Sequence, residues 1–412
     1  MSIHFNQGQN NLLDSLDKEN FEEEAITLIR EKIAEFFNMK NIHFLFGSGT
    51  SAGSIPTMWE LYEKVLAEIE KADESLQLEF TSIKEKAEEG NLEDILGILY
   101  SHRAYLGTPK IEGTINNGEK STLDICLELI TKIEEIIFTG INIEIKAKSI
   151  GLERYRKFYQ KVALRNKDLS RINIFTTNND LFNEVALDSL NIHYINGFGG
   201  GLFKYFNPAL FDYTYSKRMD ASIDKYEPVE NMIKLYKIHG SINWIEDSSN
   251  KNSYFKIREV FSPDIKSENV LVYPTPTKQN KSLGSPYVEL FREFQKKLME
   301  PMSVLFVIGY SFSDEHVNNV IYQALATNTT MNLVILNDIS DKPIADIKDN
   351  RIYKVWEEKD DNGKSPTDET AKREKLHYFD TIVNELLPDV DAFRNSVPDA
   401  NEFISLFQGK KS

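Results

Sequence analysis

Ile42-His43-Phe44-Leu45-Phe46-Gly47-Ser48-Gly49-Thr50-Ser51 runs from an apolar segment into a glycine-rich polar turn. Met58, Leu61, Tyr62, Val65, Leu66 and Ile69 follow at helical spacing. Strand, glycine turn and helix in that order form the geometry in which backbone N–H groups and a helix N-terminus hold phosphate. Two further apolar runs stop in the same manner. Ile172-Asn173-Ile174-Phe175 ends at Thr176-Thr177-Asn178-Asn179-Asp180, and Ile233-Lys234-Leu235-Tyr236-Lys237-Ile238 ends at His239-Gly240-Ser241. Open α/β sheets place ligands outside the carboxyl ends of their strands. A glycine turn, an Asn/Asp pair and a histidine are therefore expected to share one cleft.

Strand-like runs recur at 192–195, 304–308 and 332–336. Val304-Leu305-Phe306-Val307-Ile308 is apolar throughout, as in a parallel strand covered on both faces. It ends in Gly309-Tyr310-Ser311-Phe312-Ser313-Asp314, and the run at 332–336 ends in Asn337-Asp338. Helical patterns occupy 18–38, 180–190, 286–300 and 315–327, and everything from 72 to 170 reads as helix. The alternation predicts an α/β, Rossmann-like fold. Its mostly parallel sheet has about six strands with helices on both faces, and a helical subdomain is inserted. The expected divisions are 1–71 for the N-terminal helix and first strand-turn-helix, 72–170 for the helical subdomain, and 171–345 for the rest of the ligand-binding domain. Residues 346–412 hold a charged, mobile loop at 357–375, a last helix near 374–387 and a tail.

The formal net charge of -16 on 412 residues disfavours nucleic acid and anionic membrane as direct partners. Two basic stretches run against that balance. One is Arg154, Arg156, Lys157, Lys161, Arg165, Lys167 and Arg171; the weaker one is Lys278, Lys281, Arg292, Lys296 and Lys297 beside Pro274-Thr275-Pro276. A solvated helix face is the favoured reading of the first and a docking site the alternative. The single cysteine, Cys126, excludes an intramolecular disulfide and any multi-thiolate zinc site, and its neighbours Leu123, Leu127 and Ile130 mark it as a packed thiol. Histidines 4, 43, 102, 193, 239, 316 and 377 show no ligand spacing, and His316 reads as the surface start of a helix. No run approaches the ~20 apolar residues of a membrane span, and Met1–Gln7 lacks a basic segment followed by an apolar one. The expectation is a cytoplasmic protein without metal or membrane.

Each motif also has a plain reading. Gly47–Ser51 can be a simple reversal, because it lacks the three spaced glycines of a dinucleotide fingerprint. Thr176–Asp180 can be a helix cap, and a strand-end histidine can be structural. Together, and in this order with Ile55-Pro56, Gly309-Tyr310-Ser311 and Asn337, they resemble the sirtuin fold family over about 40–340, apart from the helical block. Two departures stand out. One cysteine cannot build the zinc module of protein-deacylating sirtuins, and Thr177 stands where the family carries Gln. Gly309–Asp314 and Ile55-Pro56-Thr57-Met58-Trp59 look more like the bacterial sirtuin-like NADases of antiphage defence. In overall form the chain is most similar to the sirtuin-like subunit that works with a separate HerA-type hexameric ATPase.

The resemblance implies NAD as substrate. Gly47, Ser48, Gly49, Thr50 and Ser51 would cradle the pyrophosphate with backbone N–H groups and hydroxyls. Asn178 would hold the water or a ribose hydroxyl, Asp180 the nicotinamide amide, and His239 would accept a proton. Ser311 and Asn337 would contact the adenosine ribose, with Thr177, Gly309 and Tyr310 completing the binding set. Trp59 would wall the nicotinamide pocket or serve as a core aromatic. The implied activity is NAD+ glycohydrolysis to nicotinamide and ADP-ribose, depleting NAD in abortive infection. Homo-oligomerisation and the ATPase would regulate it, with nucleic acid reached through the partner. An NAD-dependent deacylase, an ADP-ribosyltransferase, and a non-catalytic NAD or ADP-ribose scaffold for a nuclease/ATPase complex are the alternatives.

Overall fold

A computed structural model describes residues 3–16, 19–107, 121–143, 145, 149–163, 165, 169–220, 224–229, 231–247, 256–263, 269–271, 286–358 and 375–388. The basic positions Lys167, Lys278 and Lys281, the Pro274-Thr275-Pro276 segment and most of the charged 357–375 stretch lie outside them.

In chain order the strands are β1 (Ile3–Gln7), β2 (Asn10–Asn11), β3 (Asn41–Phe46), β4 (Ile172–Thr176), β5 (His193–Ile195), β6 (Phe198–Gly199), β7 (Lys204–Phe206), β8 (Ser216–Arg218), β9 (Tyr226–Pro228), β10 (Met232–Lys237), β11 (Gly240–Glu246), β12 (Ile257–Glu259), β13 (Asn269–Leu271), β14 (Ser303–Ile308), β15 (Asn332–Leu336) and β16 (Ile352–Glu357). The principal helices are α1 (Phe21–Phe37), α2 (Met58–Ile69), α3 (Glu74–Lys84), α4 (Leu92–Leu106), α5 (Thr122–Ile141), α6 (Ile150–Val162), α7 (Phe182–Ser189), α8 (Tyr287–Leu298) and α9 (Glu315–Thr327).

Nine strands form one sheet in the order β2-β1-β16-β15-β14-β3-β4-β10-β5. From β16 to β5 every pairing is parallel, which makes seven parallel strands. Antiparallel β1 and β2 finish one edge. All six runs read as strands lie in this sheet, but the expected number of about six was too low. One missed strand, β16, has a physical reason. In β16, Ile352-Tyr353-Lys354-Val355-Trp356-Glu357 is broken by a charge, yet Lys354 is buried and donates to the carbonyls of Ala345 and Ile347. A separate five-stranded sheet, β13-β11-β12-β7-β6, was not foreseen.

Alternation along the central strands builds two cores. Phe44, Phe46, Ile174 and Phe306 face α1, α6 and α7, whereas Leu45, Phe175, Leu305 and Val307 face α8 and α9. A third cluster joins α2, α3, α4 and α5, with Cys126 buried in it and its thiol 3.2 Å from the Leu99 carbonyl. Packing therefore divides the helices differently from the expected limits of 72 and 170. α2 belongs with the helical cluster, and Leu152, Tyr155, Phe158 and Tyr159 of α6 pack on the sheet. An amphipathic pattern shows that a helix has a buried face, not which surface receives it. The last helix is a short turn, Phe379–Thr381, continuing as a π-helical turn over Ile382–Leu386.

The basic residues of α6 hold that C-terminal segment. Arg154 pairs with Asp380 at 3.3 Å, Lys157 reaches Asn384 at 3.1 Å, and Lys161 reaches the Leu387 carbonyl at 3.1 Å. Arg165 donates to the carbonyls of Phe37, Met39, Lys40 and Ser170. Arg154, Lys161 and Arg165 are thus engaged within the fold, whereas Lys157 stays exposed as a solvated face would have it.

His43, on β3, is fully buried, with Nδ1 3.1 Å from the Asn173 amide nitrogen and Nε2 without a partner. Burial first, then the Lys297 charge, lowers its pKa to about 3 from 6.5. Between those values the unfolded chain binds a proton that the folded chain refuses. Stability is expected to fall by about 1.4 kcal/mol per pH unit as pH drops from 6.5 toward 3. Urea denaturation of wild type and His43→Gln across this range checks it: the variant should show the shallower pH dependence, and equal slopes would remove His43 as the cause.

Candidate functional site

The carboxyl ends of β3, β4, β10 and β14 lie side by side, because these strands are neighbours in register. The Thr177 N–H donates to the Phe46 carbonyl at 3.0 Å, and the Ile238 N–H to the Thr176 carbonyl at 3.0 Å, so the three motif-bearing turns begin at one level.

Beyond β3 the chain makes a short 3₁₀ turn, Ser48–Ser51. Its glycines press against the turn after β14. The Gly47 N–H donates to Ile308 O at 3.0 Å and the Gly49 N–H to Gly309 O at 2.9 Å. The Thr50 N–H closes the turn on Gly47 O at 3.0 Å. Three N–H groups expected to cradle pyrophosphate are thus committed within the protein; Ser48 is the exposed residue of the turn.

The Thr50 and Ser51 hydroxyls point inward as well. Ser51 Oγ donates to Asp180 Oδ2 at 2.7 Å, and Asp180 Oδ1 accepts the Phe182 N–H at 3.0 Å. Asn178 Nδ2 reaches Thr50 Oγ1 at 3.0 Å and Ser51 Oγ at 3.2 Å. The Tyr155 hydroxyl joins both, 2.7 Å from Thr50 Oγ1 and 2.9 Å from Ser51 Oγ. All five residues are buried. Thr50, Ser51, Asn178 and Asp180, chosen from the sequence as site residues, form one polar network. Tyr155 was missed, because nothing local marks a tyrosine on an amphipathic helix as belonging to a turn about 100 residues earlier.

Lys237, also missed, supports the Asn/Asp turn from behind. Its side chain is 1% exposed and reaches Glu184 Oε1 at 2.9 Å, Ser241 Oγ at 2.7 Å and the carbonyls of Asn179 and Asp180. Burial raises the pKa of Glu184, and the charge and hydrogen bond of Lys237 oppose that rise. Asn179 ties this turn to the next: with its amide nitrogen set toward them, it donates to the carbonyls of His239 and Gly240 at 3.1 Å each.

His239 follows β10. Its Nε2 lies 2.9 Å from Asp314 Oδ2, with both side chains largely buried. Asp314 caps α9: Oδ1 accepts the N–H groups of His316 and Val317 at 2.8 and 3.1 Å. Burial raises the Asp314 pKa, but the His239 hydrogen bond and charge and these two N–H groups outweigh it and hold the carboxyl at about 2. When the imidazole is neutral, the carboxylate accepts Nε2–H and the lone pair is on Nδ1. The sequence showed the helix start here but not the partner.

The rest of the β14 turn is tightly fixed. Phe312 is buried with φ +54, a left-handed conformation unusual for such a residue. The Tyr310 hydroxyl donates to Asn318 Oδ1 at 3.0 Å, and Asn337 Nδ2 donates to the Tyr310 carbonyl at 2.8 Å. Asn337 therefore braces the turn, while Ser311 is exposed with its hydroxyl 2.9 Å from that of Ser313. Trp59 does not join the network: its indole N–H donates to Glu63 at 3.0 Å, and its ring lies against Tyr62 and Gly90. Among the described residues no group of three His, Cys, Asp or Glu could hold a metal ion, and no helix is long and apolar enough to cross a membrane. His316 is exposed in the first turn of α9.

No curated protein matches the sequence. Solved structures similar to the chain include a mutant Sir2 homologue in complex with 2'-O-acetyl ADP ribose (11% identity, 89% of this chain and 97% of that one, TM-score 0.40). A Sir2 homologue in complex with NAD is similar at 11% identity over 89% of this chain and 94% of that one, TM-score 0.40. Likenesses this loose assign no residue a role. A family model for the SIR2-like domain matches residues 172–359, the stretch holding Asn178, Asp180, His239, Gly309, Asp314 and Asn337. From β4 to the end of β16, the chain is similar to the SIR2-like domain.

Proposed function

We propose that this protein is an NAD+ glycohydrolase that cleaves the nicotinamide–ribose bond. The observation that carries the reading is the pairing, within the SIR2-like segment, of a fixed Asn178 amide with a His239 whose free nitrogen is set by Asp314. In the reaction the bond from C1′ to the pyridinium nitrogen breaks and its electrons stay on nitrogen, so nicotinamide leaves neutral without a general acid. Water forms the new bond to C1′ and gives its proton to His239 Nδ1. Asn178 holds the water or a ribose hydroxyl, which supplies orientation. Gly47–Ser51 line the pyrophosphate side mainly through shape and Ser48, and Ser311 and Asn337 border the adenosine ribose.

The proposal extends to NAD depletion in antiphage defence, with a HerA-type hexameric ATPase and homo-oligomerisation as control, in the cytoplasm. Its support is the motif resemblance at Ile55–Trp59 and Gly309–Asp314. Incubating the chain with NAD, with and without the ATPase, and separating NAD, nicotinamide and ADP-ribose tests both parts. Equimolar nicotinamide and ADP-ribose, lost in Asn178→Ala and changed by the ATPase, is the expected result. Acyl-lysine turnover or ADP-ribose left on protein would replace hydrolysis with one of the transfer reactions. NAD binding without turnover would leave a scaffold, and equal rates with and without the ATPase would remove the regulatory part.

A further inference from the structure

We propose that Tyr155 is the positioning residue for Asn178: its hydroxyl bridges Thr50 and Ser51 so that the Asn178 amide nitrogen is held inward and Oδ1 is left as the acceptor for substrate or water. The inference rests on the reading that Asn178 acts on NAD.

The Ser51 proton is used on Asp180, so Ser51 Oγ is an acceptor toward both Tyr155 and Asn178. Tyr155 therefore donates to Ser51, and Thr50 donates to Tyr155 across 2.7 Å, with the Gly47 carbonyl 2.9 Å from the same hydroxyl. Thr50 Oγ1 keeps a lone pair for Asn178 Nδ2. The two amide hydrogens of Asn178 then meet two hydroxyl oxygens. A reversed amide would place Oδ1 against oxygens whose protons are already used, a costly arrangement for buried groups. Among the described residues, Tyr155 is the group from outside the two turns that holds both hydroxyl oxygens at the spacing Nδ2 spans.

The fold is built to place this hydroxyl. The Tyr155 ring stacks on Phe182 at 5.6 Å and 4°, and meets Phe46 and Phe379 edge-on at 6.1 and 5.1 Å. One turn earlier on the same helix face is Gly151, where a Cβ would lie 2.3 Å from Ser54 Oγ and 3.1 Å from Phe182. That close approach lets α6 lie against the end of the glycine turn. Burial, then the Asp180 charge, raises the Tyr155 pKa, so the hydroxyl stays protonated.

Tyr155→Phe removes the hydroxyl and keeps the ring. Tyr159→Phe is the matched control: it is equally buried on the same helix, and its hydroxyl donates to Asn183 at 2.7 Å. Under conditions where wild type consumes NAD, Tyr155→Phe is expected to lower kcat about 10–100-fold with KM changed less than about 3-fold. Tyr159→Phe should keep kcat within about 2-fold despite a similar fall in Tm. In protein labelled with 15N at asparagine, solvent exchange of the Asn178 side-chain amide should quicken about 10-fold or more in Tyr155→Phe alone. An unchanged Asn178 exchange rate, or a kcat loss no larger than in Tyr159→Phe, would overturn the proposal. Wild type without NAD turnover would instead overturn the functional reading, and the exchange measurement would still decide the role of Tyr155.

Discussion

Asp314→Asn should lower kcat for NAD hydrolysis by about 10²–10⁴-fold while leaving α9 as stable as before. Asn caps a helix about as well as Asp, so the amide oxygen keeps the Oδ1 position and continues to accept the N–H groups of His316 and Val317. Capping therefore forces the new NH2 group into the Oδ2 position, 2.9 Å from His239 Nε2 in the present arrangement. A donor there favours the imidazole tautomer with its proton on Nδ1, and the ring loses the lone pair that takes the water proton. His239→Ala removes the acceptor outright and should fall in the same range. The check is kcat and KM for both variants beside thermal unfolding. Wild-type kcat in Asp314→Asn would refute the tautomer assignment. A matching fall in Tm would point to helix destabilisation instead.

The sequence exposed those parts of the fold whose cause is local. β3, β4, β10, β14 and β15 are apolar or nearly so because helices cover both faces, and such runs cannot easily be read otherwise. Their polar ends at Gly47, Thr177 and His239 were legible for the same reason. What stayed hidden depends on distant partners. Asp314 reads as a helix cap whether or not a histidine faces it. Lys237 interrupts an apolar strand and looks like an outward-facing charge, yet Glu184 and two loop carbonyls give it a buried place. Tyr155 has the spacing of an ordinary core residue, and only the docking of α6 on the sheet brings it to Ser51. The partners of the glycine turn were hidden for a related reason. A glycine turn after a strand suggests free N–H groups, but Gly47 donates to Ile308 at the end of β14 and Gly49 to Gly309 in the turn beyond it.

Gly309→Ala, at that crossing, is expected to cost about 2–5 kcal/mol of stability. Two terms add. Gly309 has φ +63, a conformation that costs an L-residue roughly 1–2 kcal/mol. A Cβ there would also lie 2.7 Å from the Thr50 nitrogen and 2.8 Å from Gly49 Cα, backbone atoms that cannot swing aside. The remainder, about 1–3 kcal/mol, is the cost of overpacking. Two other glycines separate the terms. Gly53 has φ +77 with nothing within 4 Å, so Gly53→Ala carries the conformational cost alone. Gly47 has φ -112, but its Cβ would lie 2.5 Å from Gly309 O, so Gly47→Ala carries the steric cost alone. Denaturant unfolding of the three variants should place Gly309→Ala near the sum of the other two, and a loss no greater than that of Gly53→Ala would sink the close-approach explanation. The same crossing connects stability to function. It holds the turn carrying Thr50 and Ser51 against the turn carrying Asp314, so the backbones that orient Asn178 and His239 rest on one contact. A Gly309→Ala protein that still folds should therefore lose kcat together with stability, whereas Gly53→Ala should lose stability alone.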